Sequence, residues 1–142
     1  MTNLPTEVMA QINDNPKSVK VIGTKAEDGK LHIIAAGSVR ALNAGTIVVG
    51  ARKMIRTSSN LESMKKRGEN ALIEVIDWDK RIAFEIQAKV KDFQTSGPVF
   101  EAMADGSKKM GLSPPRGVWI LEPTEIWNES SSASPDSGKR IV

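Results

Sequence analysis

Apolar and polar positions alternate with different periods along the chain, and the period separates helices from strands. Within residues 4–13, Leu4, Val8 and Ile12 recur every fourth position with Met9 beside them. That spacing predicts a short amphipathic helix, entered through Pro5 and broken at Asn15-Pro16. Residues 18–24 read as a strand and residues 31–36 as its return, joined by Glu27-Asp28-Gly29-Lys30, where Asp-Gly tolerates positive φ. Gly37 and Ser38 interrupt the pattern, residues 39–42 predict another short strand, and Asn43-Ala44-Gly45 turns into the wholly apolar strand 46–49.

A basic stretch follows, and then a helix whose opening reads as a capping box, Ser59 with Glu62 three residues on, and whose end is Gly68. Residues 71–76 and 82–90 predict two strands around Trp78-Asp79-Lys80-Arg81. In the second, Ile82, Phe84, Ile86, Ala88 and Val90 share one face, and Ala83, Glu85, Gln87 and Lys89 share the other. Thr95-Ser96-Gly97-Pro98 predicts a capped helix entry with Phe100, Met103 and Ala104 on the apolar face. Residues 106–116 read as a loop and residues 117–121 as the last strand. Val118 and Ile120 alternate there with Trp119 and Leu121, so both of its faces are apolar. One face serves the core; the other predicts cover by the same region of a second chain. Residues 128–142 hold almost no apolar side chains and read as a disordered tail after a single domain, 1–127. The sum is a mainly β chain, a small Greek-key-like barrel of six or seven strands with about three short helices.

Composition narrows the chemistry. The chain of 142 residues has no cysteine and one histidine, His32, which excludes thiolate chemistry and histidine-rich metal sites. No metal site is expected. The absence of an apolar run near the roughly 20 residues that span a bilayer, and of a basic-then-apolar leader in MTNLPTEVMAQ, gives the expectation of a cytoplasmic protein. A net charge of +3 suits an anionic partner. Aromatics at 4% offer few platforms for stacked bases, so a small phosphorylated ligand fits better than nucleic acid.

The densest candidate chemistry lies at residues 50–60. Arg52, Lys53 and Arg56 fall within five residues, Thr57 follows, and Ser58, Ser59 and Asn60 lead into a helix. Guanidinium groups grip phosphate oxygens in pairs, and a helix start adds unpaired N–H groups and a positive dipole end. The bland alternative is a solvated loop, with Ser59 as no more than a helix cap. His32 reads as a partly buried strand histidine rather than a catalytic base, and no paired carboxylates suggest acid–base work.

The order of hairpin, apolar strand TIVVG, basic loop, Arg-Thr, Asn-bearing helix, long strand and TSGPVFEAM resembles the pyridoxamine 5'-phosphate oxidase-related, FMN-binding split-barrel proteins, especially the small FMN-binding and flavoredoxin-like flavoproteins. The likeness spans roughly residues 5–127 and rests on RTSSNLE and TSGPVFEAM. It implies an FMN-binding split β-barrel working as a homodimer, with FMN at the interface. By the same resemblance Arg56 and Thr57 would hold the phosphate, Arg52 or Lys53 would assist, and Asn60 would line the helix start. Backbone at Gly50, Ala51 and Met54 would pass beside the cofactor. Ala35, Ala36, Gly37 and Ser38 would lie along the ring, where small members often carry Asn, Thr and Trp. Pro115, Arg116 and Trp119 would reach the ring from the opposite subunit. The implied function is electron transfer or reduction of a small molecule at FMN. Two rival readings stand beside it: a basic barrel for single-stranded nucleic acid, and a split barrel holding another cofactor such as a deazaflavin or haem.

Overall fold

The computed structural model describes residues 2–142. Its helices are α1 (Thr6–Asn13), α2 (Ile55–Arg67) and α3 (Pro98–Lys109). Its strands are β1 (Val19–Lys25), β2 (Leu31–Ala35), β3 (Val39–Asn43), β4 (Thr46–Ala51), β5 (Asn70–Asp77), β6 (Ile82–Gln94), β7 (Gly117–Asn128) and β8 (Lys139–Arg140). Seven strands form one antiparallel sheet in the order β2-β1-β5-β6-β7-β4-β3, and the two-residue β8 pairs with β7. The sheet curls without closing. Its edge strands β2 and β3 are consecutive in sequence yet not paired, and the turn 36–38 carries the chain across the split.

The predicted alternations hold. Phe84, Ile86, Ala88 and Val90 are buried, as are Ala71, Ile73 and Val75 of the facing strand. Val8 and Ile12 dock α1 onto this core through the face read from their spacing. The first hairpin closes with the Ala26 N–H donating to Lys30 O at 2.9 Å, and Gly29 has φ +86°. β7 runs on past residue 121 as far as Asn128. It survives Pro123 because the register slips there: Gln87 faces Glu125 and Ala88 faces Pro123, which leaves Thr124 as a bulge.

Three expectations change. α2 begins at Ile55, four residues before Ser59, and its N-cap Met54 makes no side-chain cap bond. The capping box is therefore absent; Ser58 and Asn60 face inward in the first turns and are buried. Both faces of β7 are indeed covered near Val118 and Trp119, but by this chain itself. Val118 is 0% exposed, and α3 packs on β7. Finally, residues 128–142 double back along the barrel. Ser130 is buried and exchanges hydrogen bonds with the backbone of Ala83 at 3.0 and 3.3 Å. The N–H groups of Ser131 and Ser132 both donate to Arg81 O at 3.1 Å, β8 pairs with β7, and Ile141 packs against the core. Backbone bonds to a strand end, which a count of apolar residues does not see, tie this segment down.

Candidate functional site

The split between β2 and β3 opens into a cleft of about 550 Å³. Ala35, Ala36, Gly37 and Ser38 form one lip, Val48 and Gly50 of β4 form the floor, and α3 forms the far wall through Val99, Ala102 and Met103. Arg52, Lys53 and Met54 close one end. Gly50 matters to this shape: a Cβ there would lie 3.3 Å from Met103 Cγ and Sδ and 3.4 Å from Ser38 Cβ. The floor is thus as deep as backbone alone allows. Ser38 Oγ donates to Gly50 O at 2.8 Å and fastens the lip to the floor.

The helix start borders this cleft. Ser58 N–H is the first amide of α2 to reach an earlier carbonyl, Met54 O at 2.8 Å. The amides of Ile55, Arg56 and Thr57 therefore have no partner within the helix, the usual condition of a first turn. Lys53 and Arg56 are exposed and enter no ion pair among the described residues.

The other polar side chains of the basic loop are already committed. Arg52 Nε donates to Ser113 O at 2.9 Å and its Nη2 to Ser107 Oγ at 2.8 Å, which straps the loop to the end of α3. Thr57 is 1% exposed, and its Oγ1 lies 3.2 Å from His32 Nε2. Ser58 Oγ accepts from Trp119 Nε1 at 3.1 Å. Asn60 Nδ2 donates to Thr24 Oγ1 at 3.0 Å inside the barrel. These three contacts seat α2 against β2, β7 and β1 in turn.

Of the residues the sequence singled out, the structure gathers Ala35, Ala36, Gly37, Ser38, Gly50, Arg52, Lys53 and Met54 around one cleft, with Ala51 buried behind the floor. Arg56 and Thr57 are not among the residues that line the cleft; they follow its lining residue Met54 in the first turn of α2. Arg116 and Trp119 line a separate hollow of about 650 Å³ on the other side of the helix start, with Ile55, Ser58, Ser59 and Phe93. Pro115 and Trp119 are buried in their own chain, Trp119 tilted against Phe93 with centroids 4.6 Å apart; Arg116 is exposed. The α3 wall and Arg40, which also lines the cleft, went unread in the sequence. The usable signal for Arg40 was its alternation with Val39 and Ala41, both buried, which sets it on the opposite face.

No family model and no curated protein matches the sequence. Solved structures do match. HupZ of Group A Streptococcus superposes with a TM-score of 0.79 at 19% identity, over 98% of this chain and 99% of that one. An FMN-binding protein from Syntrophomonas wolfei gives 0.70 at 15%, over 86% and 83%. A protein of Lactobacillus delbrueckii assigned as a pyridoxamine 5'-phosphate oxidase gives 0.70 at 16%, over 89% and 95%. The chain has the split-barrel fold of the pyridoxamine 5'-phosphate oxidase-like proteins. In this split barrel the unclosed seam and the glycine floor form one cleft, bordered by Met54, the N-cap of α2. Among the described residues no helix is long and apolar enough to cross a membrane.

Proposed function

We propose that this split barrel binds FMN, with the phosphate at the start of α2 and the ring in the cleft beneath α3. One observation carries the reading: the uncommitted cation Lys53 and Met54, the N-cap of α2, line one end of a cleft whose lip and floor are small residues and backbone, and the unpaired Arg56 and the free first-turn amides of α2 follow directly in the chain. A planar ring needs such a slot, and a phosphate needs such an end. Lys53 and Arg56 would hold the phosphate through their charge, and Thr57 would contribute its backbone amide, since its hydroxyl faces His32. The flavin, once bound, supplies the redox chemistry; the protein binds, orients and shields it. The structurally similar FMN-binding protein supports this cofactor.

The working unit in this reading is a homodimer, and the apolar surface that supports it lies on the outer face of β2 and β1. Leu31, Ile33 and Val19 are 82%, 65% and 52% exposed. The registers Gly23 with Ile33, Gly23 with Leu72 and Val19 with Ile76 put them on one face with the half-buried Leu72 and Ile76. A contiguous apolar face of this kind marks an association surface. A cytoplasmic flavoprotein acting as an electron carrier or an FMN-dependent oxidoreductase is the resulting function.

The test is direct. Protein purified from cells should be yellow and release about one FMN per chain on denaturation, in line with one cleft per chain. Absence of flavin, together with failure of added FMN to bind in a fluorescence titration, would refute the assignment. Sedimentation should show a dimer that Ile33→Glu dissociates.

A further inference from the structure

The cleft has a second cationic pole. Arg40 of β3 lines it from the strand across from β4, outside the basic loop. Arg40 faces Val48 across the β3–β4 ladder, and Val48 lies four residues before Arg52. The Arg40 guanidinium reaches back along the strand to the Gly37 carbonyl, on the lip of the cleft.

Arg40 is held but not neutralised. Its Nη1 donates to Gly37 O at 3.0 Å and to Val39 O at 2.8 Å, which pins the guanidinium at the β2–β3 corner. No carboxylate pairs with it among the described residues, and the remaining N–H groups of the fork have no protein partner there. Lys20 lies close by, its Nζ donating to Ile12 O at 3.3 Å, also without a carboxylate. Burial pulls the Lys20 amine down to about 8, and the positive charge of Arg40 adds to that pull. Two cations set side by side without an acid form a site that an anion would relieve.

Beside Arg40 the cleft turns apolar. Leu42, on the same strand face two residues on, is 51% exposed. Val48, Ala102 and Met103 continue that surface toward the middle of the cleft. A ligand fitted to this end carries one acidic group and an apolar body.

We propose that Arg40 is a second anion anchor of the cleft, which holds the carboxylate of a small, largely apolar organic acid while its body lies against Leu42, Val48 and Met103. Resting on the flavin reading, this names the substrate class of the same site. The acid would lie beside the ring, its charge fixed at Arg40. Arg is suited to this task because its planar fork meets a carboxylate with two parallel hydrogen bonds.

Benzoate serves as the probe and benzamide as its neutral match, titrated calorimetrically into the FMN-free and the FMN-loaded chain. Benzoate should bind both forms, and benzamide about tenfold more weakly or worse. Arg40→Gln should weaken benzoate by about tenfold or more and leave FMN affinity unchanged, whereas Arg40→Lys should retain most of the binding. Leu42→Glu, at an exposed position that leaves the fold intact, should weaken benzoate as strongly by placing a carboxylate beside Arg40. Equal binding of benzoate and benzamide, no binding of either, or unchanged benzoate affinity in Arg40→Gln or Leu42→Glu would overturn the proposal. A chain that takes no FMN yet still requires Arg40 for benzoate would end the flavin reading and leave the anchor standing.

Discussion

The neutral polar residues at the α2 start and the cations around it do opposite things. On the inner side Thr57, Ser58 and Asn60 each spend a polar side chain on another strand: His32 of β2, Trp119 of β7, Thr24 of β1. On the outer side Lys53 and Arg56 are exposed, and Arg40 lines the cleft, none of them with a carboxylate partner among the described residues. The difference lies in burial. A buried hydroxyl or amide without a partner costs on the order of 1–3 kcal/mol, so such groups are recruited into the fold, while an exposed cation costs nothing to leave unpaired. Functional capacity therefore concentrates where the sheet fails to close.

Two glycines sharpen this contrast most. On the closed side, a Cβ at Gly117 would lie 2.1 Å from Phe93 Cζ, beside the Trp119–Phe93 pair. Gly117→Ala should then destabilise the protein by about 3 kcal/mol, the upper end of what overpacking costs. On the cleft side a Cβ at Gly50 meets only the flexible end of Met103 at 3.3 Å and Ser38 Cβ at 3.4 Å. Gly50→Ala should cost about 1 kcal/mol or less yet reduce FMN binding by shallowing the floor. Denaturant titrations of both variants decide the point. Equal stability losses would erase the distinction between a filled and an open side.

Next in size is the separation of charge from hydroxyl at the helix start. Arg56→Ala should weaken FMN by roughly ten- to a hundredfold, the loss of a charge-assisted hydrogen bond of about 1.5–3 kcal/mol, and leave riboflavin affinity and melting temperature nearly unchanged. Thr57→Val should do the reverse. It removes the partner of His32 and lowers stability by about 1 kcal/mol, while FMN affinity stays within about threefold. If Thr57→Val abolishes FMN binding in a stable protein, the hydroxyl rather than the amide meets the phosphate.

Much of this arrangement was legible in the sequence, and the parts that were not share a cause. Strand faces followed from alternation because one side of each had to be dry: residues 82–90 and the α1 stripe needed no tertiary knowledge. The basic loop declared itself by composition, and residues 35–38 entered through the family resemblance. What stayed hidden was pairing over long sequence distance. Ser59 looked like a cap because nothing local showed Ser58 bonded to Trp119, sixty-one residues away. Arg40 looked like an ordinary strand residue because the α3 wall opposite it lies some sixty residues on.

The tail illustrates the same point and is testable. Residues 129–142 are poor in apolar side chains, yet they close hydrogen bonds to Ala83 and Arg81 and bring Ile141 onto the core. Their removal should cost about 1–2 kcal/mol, through the lost packing of one half-buried isoleucine and a few net hydrogen bonds. Calorimetric melting of the truncated chain checks this; an unchanged transition would return the segment to the status of a loose end.

The smallest expected effect lies on the outer face of the sheet, away from both sides of α2. Glu74 stands opposite Glu85 in the β5–β6 ladder and opposite Val21 in the β1–β5 ladder. Burial pushes its carboxyl above the usual carboxylate range, and the negative charges of Glu85 and Glu129 push it the same way. A carboxyl whose folded-state value is raised binds more protons folded than unfolded. Its favourable contribution is therefore complete below the ordinary value of 4.5 and disappears as pH rises through the folded value. Glu74→Gln should then raise the melting temperature at pH 7, by the equivalent of about 0.5 kcal/mol, and leave it unchanged near pH 4. Because Glu74 shares its face with Val21, Leu72 and Ile33, the gain should grow with protein concentration if that face is where two copies meet. A gain that is the same at pH 4 and pH 7 would assign it to shape alone and remove the like-charge repulsion from the account.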